Sequence, residues 1–133
     1  MNYNETIEEL EKVVGNLIEE NRKIPLLVEG EKDAAALRKL GVIGVIIRVN
    51  TGKNLSDFCD FIASRYQEII ILTDWDRRGG ILCSRIKKNL EGRVKCNTRY
   101  RKMLAKLTTI RAVEGLPSWI KSFKKRFLGT HTL

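Results

Sequence analysis

The stretch Glu68-Ile-Ile-Ile-Leu-Thr73, which stops abruptly at Asp74-Trp-Asp76, constrains the fold of this chain more than any other feature. A strand with one wet face alternates polar and apolar residues. One without alternation is buried on both faces, as in a parallel sheet covered by helices. Val42 to Val49 is also β-branched and continuous, and predicts a second buried parallel strand. Ile24 to Val28, with Pro25, suits the start of a first strand, and Arg93 to Cys96 a short fourth one. Between them, Glu31 to Leu40 reads as a helix closed by Gly41. After a loop of Asn50, Thr51, Gly52, Lys53 and Asn54, Ser56 can cap a helix to about Tyr66, and Ile81 to Leu90 forms another. Regular alternation of strand and helix implies right-handed crossovers and an α/β fold with a parallel sheet of about four strands.

The flanks carry different patterns. Residues 4–20 place Ile7, Leu10, Val13, Val14, Leu17 and Ile18 at helical spacing, with Thr6 and Glu9 set as a capping box, so an amphipathic N-terminal helix is expected. Residues 99–107 and 118–127 read as basic helices. Charge is distributed unevenly: residues 1–20 hold one basic and six acidic side chains, net −5; residues 21–84 hold ten and eight, net +2; residues 85–133 hold fourteen and two, net +12. A concentrated positive surface suits a polyanion, because neutralised phosphates release counterions; the plainer reading is a solvated helix face.

At 133 residues with 43% hydrophobic content, the chain has the size and core of a single domain. The polar start, MNYNETIEELEK, and the lack of a spanning apolar run predict a soluble, cytoplasmic protein with no membrane partner. Three cysteines, Cys59, Cys83 and Cys96, without CxxC spacing, and a single His131 give poor support to zinc or a disulfide framework.

Open parallel sheets place ligand sites beyond the carboxyl ends of their strands. Glu29 and Gly30 follow the first strand, and Asp74, Trp75 and Asp76 follow the third, so acids 45 residues apart are expected to meet at one sheet edge. Asp74 and Asp76, alternating at a strand end, are expected to point the same way. Clustered carboxylates repel by several kcal/mol at an effective dielectric of ~20, so they either take up protons or recruit a cation. Mg²⁺, with Mn²⁺ as a substitute, binds few carboxylates and keeps positions open for phosphate. Asp33 in the first helical turn can instead complement the helix dipole, and Asp74 can cap the next helix. Arg77 and Arg78 can orient a scissile phosphate; as plain surface charges they would oppose the dipole of that helix.

At these residues the chain resembles the Toprim domain, the catalytic module of bacterial primases, of type IA and type II topoisomerases, and of small ribonucleases that mature ribosomal RNA. The motifs are Leu27-Val-Glu-Gly-Glu-Lys-Asp33 and Leu72-Thr-Asp-Trp-Asp-Arg-Arg-Gly79. They match strand-Glu-Gly-x-x-Asp and strand-Asp-x-Asp-x-x-Gly, over roughly residues 24–96, and the chain looks most like the small standalone members. The resemblance implies a Rossmann-like Toprim sheet flanked by helices, with the N-terminal helix of about residues 4–20 and a basic extension of about 97–133 added to it. It implies that Glu29 is a general acid/base or a metal ligand, that Asp74 and Asp76 hold Mg²⁺, and that Gly30 and Gly79 let the turns pass close to the ion. Asp33 fits the primase and ribonuclease branch.

A topoisomerase needs a tyrosine presented by a further domain, and a primase needs a zinc module and a larger core; neither fits 133 residues. A ribonuclease of the maturation type needs little beyond the Toprim domain and an RNA-binding tail. The expected function is therefore Mg²⁺-dependent phosphodiester chemistry, most of all nuclease-type cleavage of RNA rather than DNA. Arg99, Arg101, Lys102 and Lys106 are expected to contact phosphates, with Arg99, Lys102 and Lys106 on one helical face. Trp119 and Phe123, at i and i+4, favour core packing over base stacking. The alternative is a non-catalytic nucleic-acid-binding or adaptor module within a larger ribonucleoprotein or replication assembly.

Overall fold

The computed structural model of the protein describes residues 2–50, 52 and 54–131, and side chains as far as Arg126. Thr51 and Lys53 of the expected loop lie outside the described residues. In chain order the elements are α1 (Tyr3–Asn21), β1 (Leu26–Val28), α2 (Glu31–Lys39), β2 (Ile46–Arg48), α3 (Leu55–Arg65), β3 (Glu68–Ile71), α4 (Arg77–Leu90), β4 (Lys95–Asn97), α5 (Arg99–Leu107), a 3-10 turn (Val113–Gly115) and α6 (Leu116–His131). The four strands form one sheet in the order β2-β1-β3-β4, every pair parallel. No helix among the described residues is long and apolar enough to cross a membrane.

The sheet is buried on both faces, and the period of two sorts its residues cleanly. Leu26, Val28, Ile70 and Leu72 join a core with Leu10, Val13 and Leu17 of α1 and Tyr100 and Leu104 of α5. Leu27, Ile69 and Ile71 turn the other way, onto Phe58 and Ile62 of α3 and Ile86 and Leu90 of α4. Because β2 lies on one side of β1 while β3 and β4 lie on the other, the crossover direction reverses between β1 and β3. Ligand sites form at such a reversal, outside the carboxyl ends of the strands.

Several elements differ from expectation for local reasons. The run Val42 to Val49 is not one buried strand: β2 is three residues at a sheet edge, and Ile43 and Val45 stand exposed. Asn21 breaks the run. Its amide donates to the Ile24 and Val45 carbonyls, its Oδ1 accepts from Gly44 N–H at 2.8 Å, and a Cβ at Gly44 would come 2.2 Å from the Asn21 carbonyl oxygen. The N-terminal helix is capped by Asn2, which accepts from Glu5 N–H at 2.9 Å, in place of the Thr6 and Glu9 box; α3 is capped by Asn54 rather than Ser56. In both cases the true cap lies upstream of the expected one, and the helix gains up to a turn. Trp119 packs at the edge of the α1 and α5 core and donates to Thr109 Oγ1, and Phe123 stacks on it with ring centroids 4.9 Å apart. Cys59, Cys83 and Cys96 are free thiols, and burial pushes Cys96 up to about 11.

Candidate active site

The first expected contact is made directly. Glu29 follows β1 and Asp74 follows β3, and Glu29 Oε2 accepts the Asp74 backbone N–H at 2.8 Å across 45 residues of sequence. Asp33, almost fully buried, accepts Gly30 N–H at 3.1 Å and closes the first turn of α2. It thereby does the helix-end work open to it from sequence, while facing the same space as Glu29 and Asp74.

Asp74 and Asp76 do not form an alternating pair on a strand. β3 stops at Ile71, and the chain bends through residues 72–76 into α4, which begins at Arg77 rather than Ile81. Asp74 Oδ1 accepts Val113 N–H at 2.9 Å, while Asp76 Oδ1 accepts Gly79 N–H at 2.7 Å and caps α4. The bend leaves no space inside it. A Cβ on Gly79 would sit 1.8 Å from the Asp74 carbonyl oxygen, so the glycine serves a close approach of backbone to backbone. A Cβ on Gly30 would meet no protein atom within 4 Å, which leaves the space beside Glu29 open.

Three further elements clamp the acidic loop. Arg101 of α5 donates from Nη2 to the Asp74 carbonyl at 2.8 Å and from Nε to the Thr73 carbonyl at 3.2 Å. Trp75 donates from its backbone to Arg111 and from its indole nitrogen to Ile110, and the Thr73 hydroxyl donates to the Gly79 carbonyl at 2.9 Å. Arg101, expected on a phosphate track, is thus a strut beneath the site. Arg99 pairs with Glu20 at 3.2 Å and lies over the Tyr100 ring, whose hydroxyl also donates to Glu20. Lys102 lines a separate cavity with Glu20 and Glu68.

A cavity of about 770 Å³ opens above these loops, lined by Glu29, Asp33 and Asp74, by Glu114 of the 3-10 turn, and by Lys32, Arg78 and Arg85. Asp76 and Arg77 lie beside it and do not line it. Glu114 escaped sequence reasoning, although the signal was there: it is one of two acids in a stretch of net +12. Among the described residues none of Glu29, Asp33, Asp74, Asp76 or Glu114 is in an ion pair. Burial is the main force holding Glu29 above the ordinary carboxylate range; the Asp74 N–H opposes it, and the charges of Asp74, Asp33 and Asp76 add to it. Asp74 is raised by burial and by Asp76 against the pull of Val113 N–H, and Asp33 by burial and by Asp74 against that of Gly30 N–H.

Oxygen-only donors under mutual repulsion suit a hard divalent cation, which would offset their charge. The four acids expected to share an ion do not close around one point: among the described residues no three acidic, His or Cys side chains are gathered into a ready metal cage. Mg²⁺ needs no such cage, since it commonly binds through one or two carboxylates, waters and substrate phosphate. Glu29 and Asp74, linked to each other and free of counter-cations, fit that sparse arrangement.

Known proteins are similar to this chain in sequence and in fold. The profile of the Toprim domain family matches residues 25–107. A UPF0292 protein of Thermoplasma volcanium is 41% identical over 99 residues, 74% of this chain and 83% of its own length. UPF0292 proteins of Methanocaldococcus jannaschii and Thermococcus sibiricus are 34% and 40% identical, cover 90% and 92% of this chain, and are themselves covered to 96%. A solved structure of a protein from Aquifex aeolicus superposes with a TM-score of 0.68 at 25% identity, over 79% of this chain and 95% of that one. Residues 108–115, which supply Val113 and Glu114 to the site, lie beyond the matched family region.

Proposed function

This chain belongs to the Toprim domain family, and from that premise we propose that it is a Mg²⁺-dependent enzyme that cleaves phosphodiester bonds, with RNA as the favoured substrate. One observation carries the reading: Glu29 and Asp74, from adjacent central strands, are locked together without counter-cations at the reversal point of the sheet. Two half-buried, mutually repelling carboxylates are costly to keep without counter-cations unless they do chemistry. RNA is favoured over DNA by the resemblance to the small maturation ribonucleases. Mn²⁺ is the expected substitute ion.

Bound Mg²⁺ would supply charge neutralisation at the scissile phosphate and activation of a water. Glu29 and Asp74 would hold it, with Asp33 and Asp76 completing the acidic field around it. The chain's own groups do the rest. Glu29 Oε2 is engaged by Asp74 N–H, so proton transfer falls to Oε1, and burial, which holds its carboxyl above the ordinary range, favours a group that can give a proton as well as take one. Arg78, facing the cavity, is placed to stabilise charge on the phosphate oxygens; Arg77, outside it, has the lesser share.

Incubation of the purified protein with labelled single-stranded and structured RNAs and DNAs, with and without Mg²⁺ or Mn²⁺, tests the proposal. Divalent-dependent cleavage is expected, and Glu29→Gln should lower turnover by ~10²-fold or more while binding persists. No divalent-dependent turnover on any substrate would favour the adaptor reading instead.

A further inference from the structure

The walls of the cavity carry opposite charges, and the basic side chains extend beyond Arg78. Lys32, Arg78 and Arg85 line the same space, and among the described residues none of their side chains makes a hydrogen bond, ion pair or ring contact. Arg78, Leu82 and Arg85 stand at i, i+4 and i+7 on α4, so they share one helical face. The two guanidinium-bearing positions are ~10 Å apart along the axis, with an apolar side chain between them. Long arginine side chains at that spacing can reach two nearby phosphates of one strand, with a nucleotide between them. Helix α5 offers the cavity no comparable rail, since Arg99 is engaged by Glu20, Arg101 by two backbone carbonyls, and Lys102 lines a different cavity.

We propose that the substrate enters as a single strand whose backbone runs along α4, with phosphates against Arg78 and Arg85, and that Lys32 of α2 contacts the strand from another side. This deepens the reading of the site as a phosphodiester-cleaving centre and rests on it. The apolar lining argues for a single strand over a duplex. Leu82 of α4, Leu55 at the start of α3 and Val49 after β2 face the cavity beside the cations. An unpaired base or exposed sugar can use such a surface, whereas a duplex keeps its bases stacked inside and presents charged backbone. The volume of about 770 Å³ lies in the range of small-ligand pockets and accommodates part of a strand.

Fluorescence anisotropy of a labelled ten-nucleotide RNA, alone or annealed to its complement, over a salt series in Ca²⁺ buffer, tests the path. Arg85→Gln and Lys32→Gln should each weaken single-strand binding and lower the slope of log K against log salt by up to ~0.7. Arg85→Lys should restore most of that slope, and Lys102→Gln with Lys106→Gln should leave it unchanged. The duplex should bind at least tenfold more weakly. Melting curves confirm that each variant folds. Equal binding by wild type, Arg85→Gln and Lys32→Gln, with loss in the Lys102 and Lys106 variants, overturns the path; so does duplex binding as tight as single-strand binding. Mg²⁺-dependent cleavage by the wild type in parallel would then leave the function standing. Failure of both binding and cleavage would overturn function and path together.

Discussion

Gly79 has no room for a methyl group, because a Cβ there would fall 1.8 Å from the carbonyl oxygen of Asp74 and the obstacle is backbone. Gly79→Ala should therefore destabilise the protein by roughly 1–3 kcal/mol or more, read from denaturant unfolding, and displace Asp74. Gly30→Ala meets no protein atom and should keep near wild-type stability. The acids give a sharper test through pH. Asp74 has a pKa raised by burial and by Asp76, so the folded state holds its proton more tightly than the unfolded chain does. Its contribution then favours folding at low pH and is lost as pH rises from the ordinary carboxylate range through the raised value. Asp74→Asn keeps an oxygen for Val113 N–H and removes the charge. In metal-free buffer it should melt higher than wild type at pH 7, with the gain shrinking towards pH 4. An equal difference at both pH values would contradict the assigned cause.

Among the elements, α5 is where sequence and structure part most usefully. Its basic periodicity is plain in the sequence, yet periodicity cannot say that Arg101 reaches back to the carbonyls of Thr73 and Asp74, or that Arg99 meets Glu20 from the far end of α1. Those contacts depend on which helices pack side by side. Arg101→Ala should lower the melting temperature and cleavage rate together while leaving the salt dependence of nucleic-acid binding unchanged, whereas a phosphate contact would do the reverse. A hydrogen bond from a charged donor contributes roughly 1.5–3 kcal/mol, so the loss should be visible in an ordinary melt. Strand β3 was legible because four apolar residues ran without interruption, and the paired motifs around Glu29 and Asp74 identified the loops beyond it. Strand β2 was overread, because the constraint that breaks it, Asn21 against Gly44, joins residues 23 apart and leaves no local trace. The bend at Asp76 was missed for a related reason. A strand end and a helix cap demand the same residue types, and only the Gly79 N–H reveals which of the two acids is the cap.

Across the described residues, basic side chains concentrated in the last third and along α4 stand beside an acidic floor whose carboxylates make no ion pair. The sequence revealed the imbalance and both motifs, but it assigned the cationic partner surface by density of charge, where the structure brings Lys32, Arg78 and Arg85 to the cavity. It also treated the last third as an appendage. Residues 110–114 instead hold Trp75 and Asp74 in place and add Glu114 to the lining, so the far end of the chain helps build the site. The central claim is that Glu29 and Asp74 together hold a divalent cation, and calorimetric titration of Mg²⁺ and Mn²⁺ into wild type and Asp74→Asn tests it most directly. The account predicts saturable binding by the wild type and at least a tenfold weaker affinity, or none, in the variant; equal heats and equal affinities for the two proteins would contradict it.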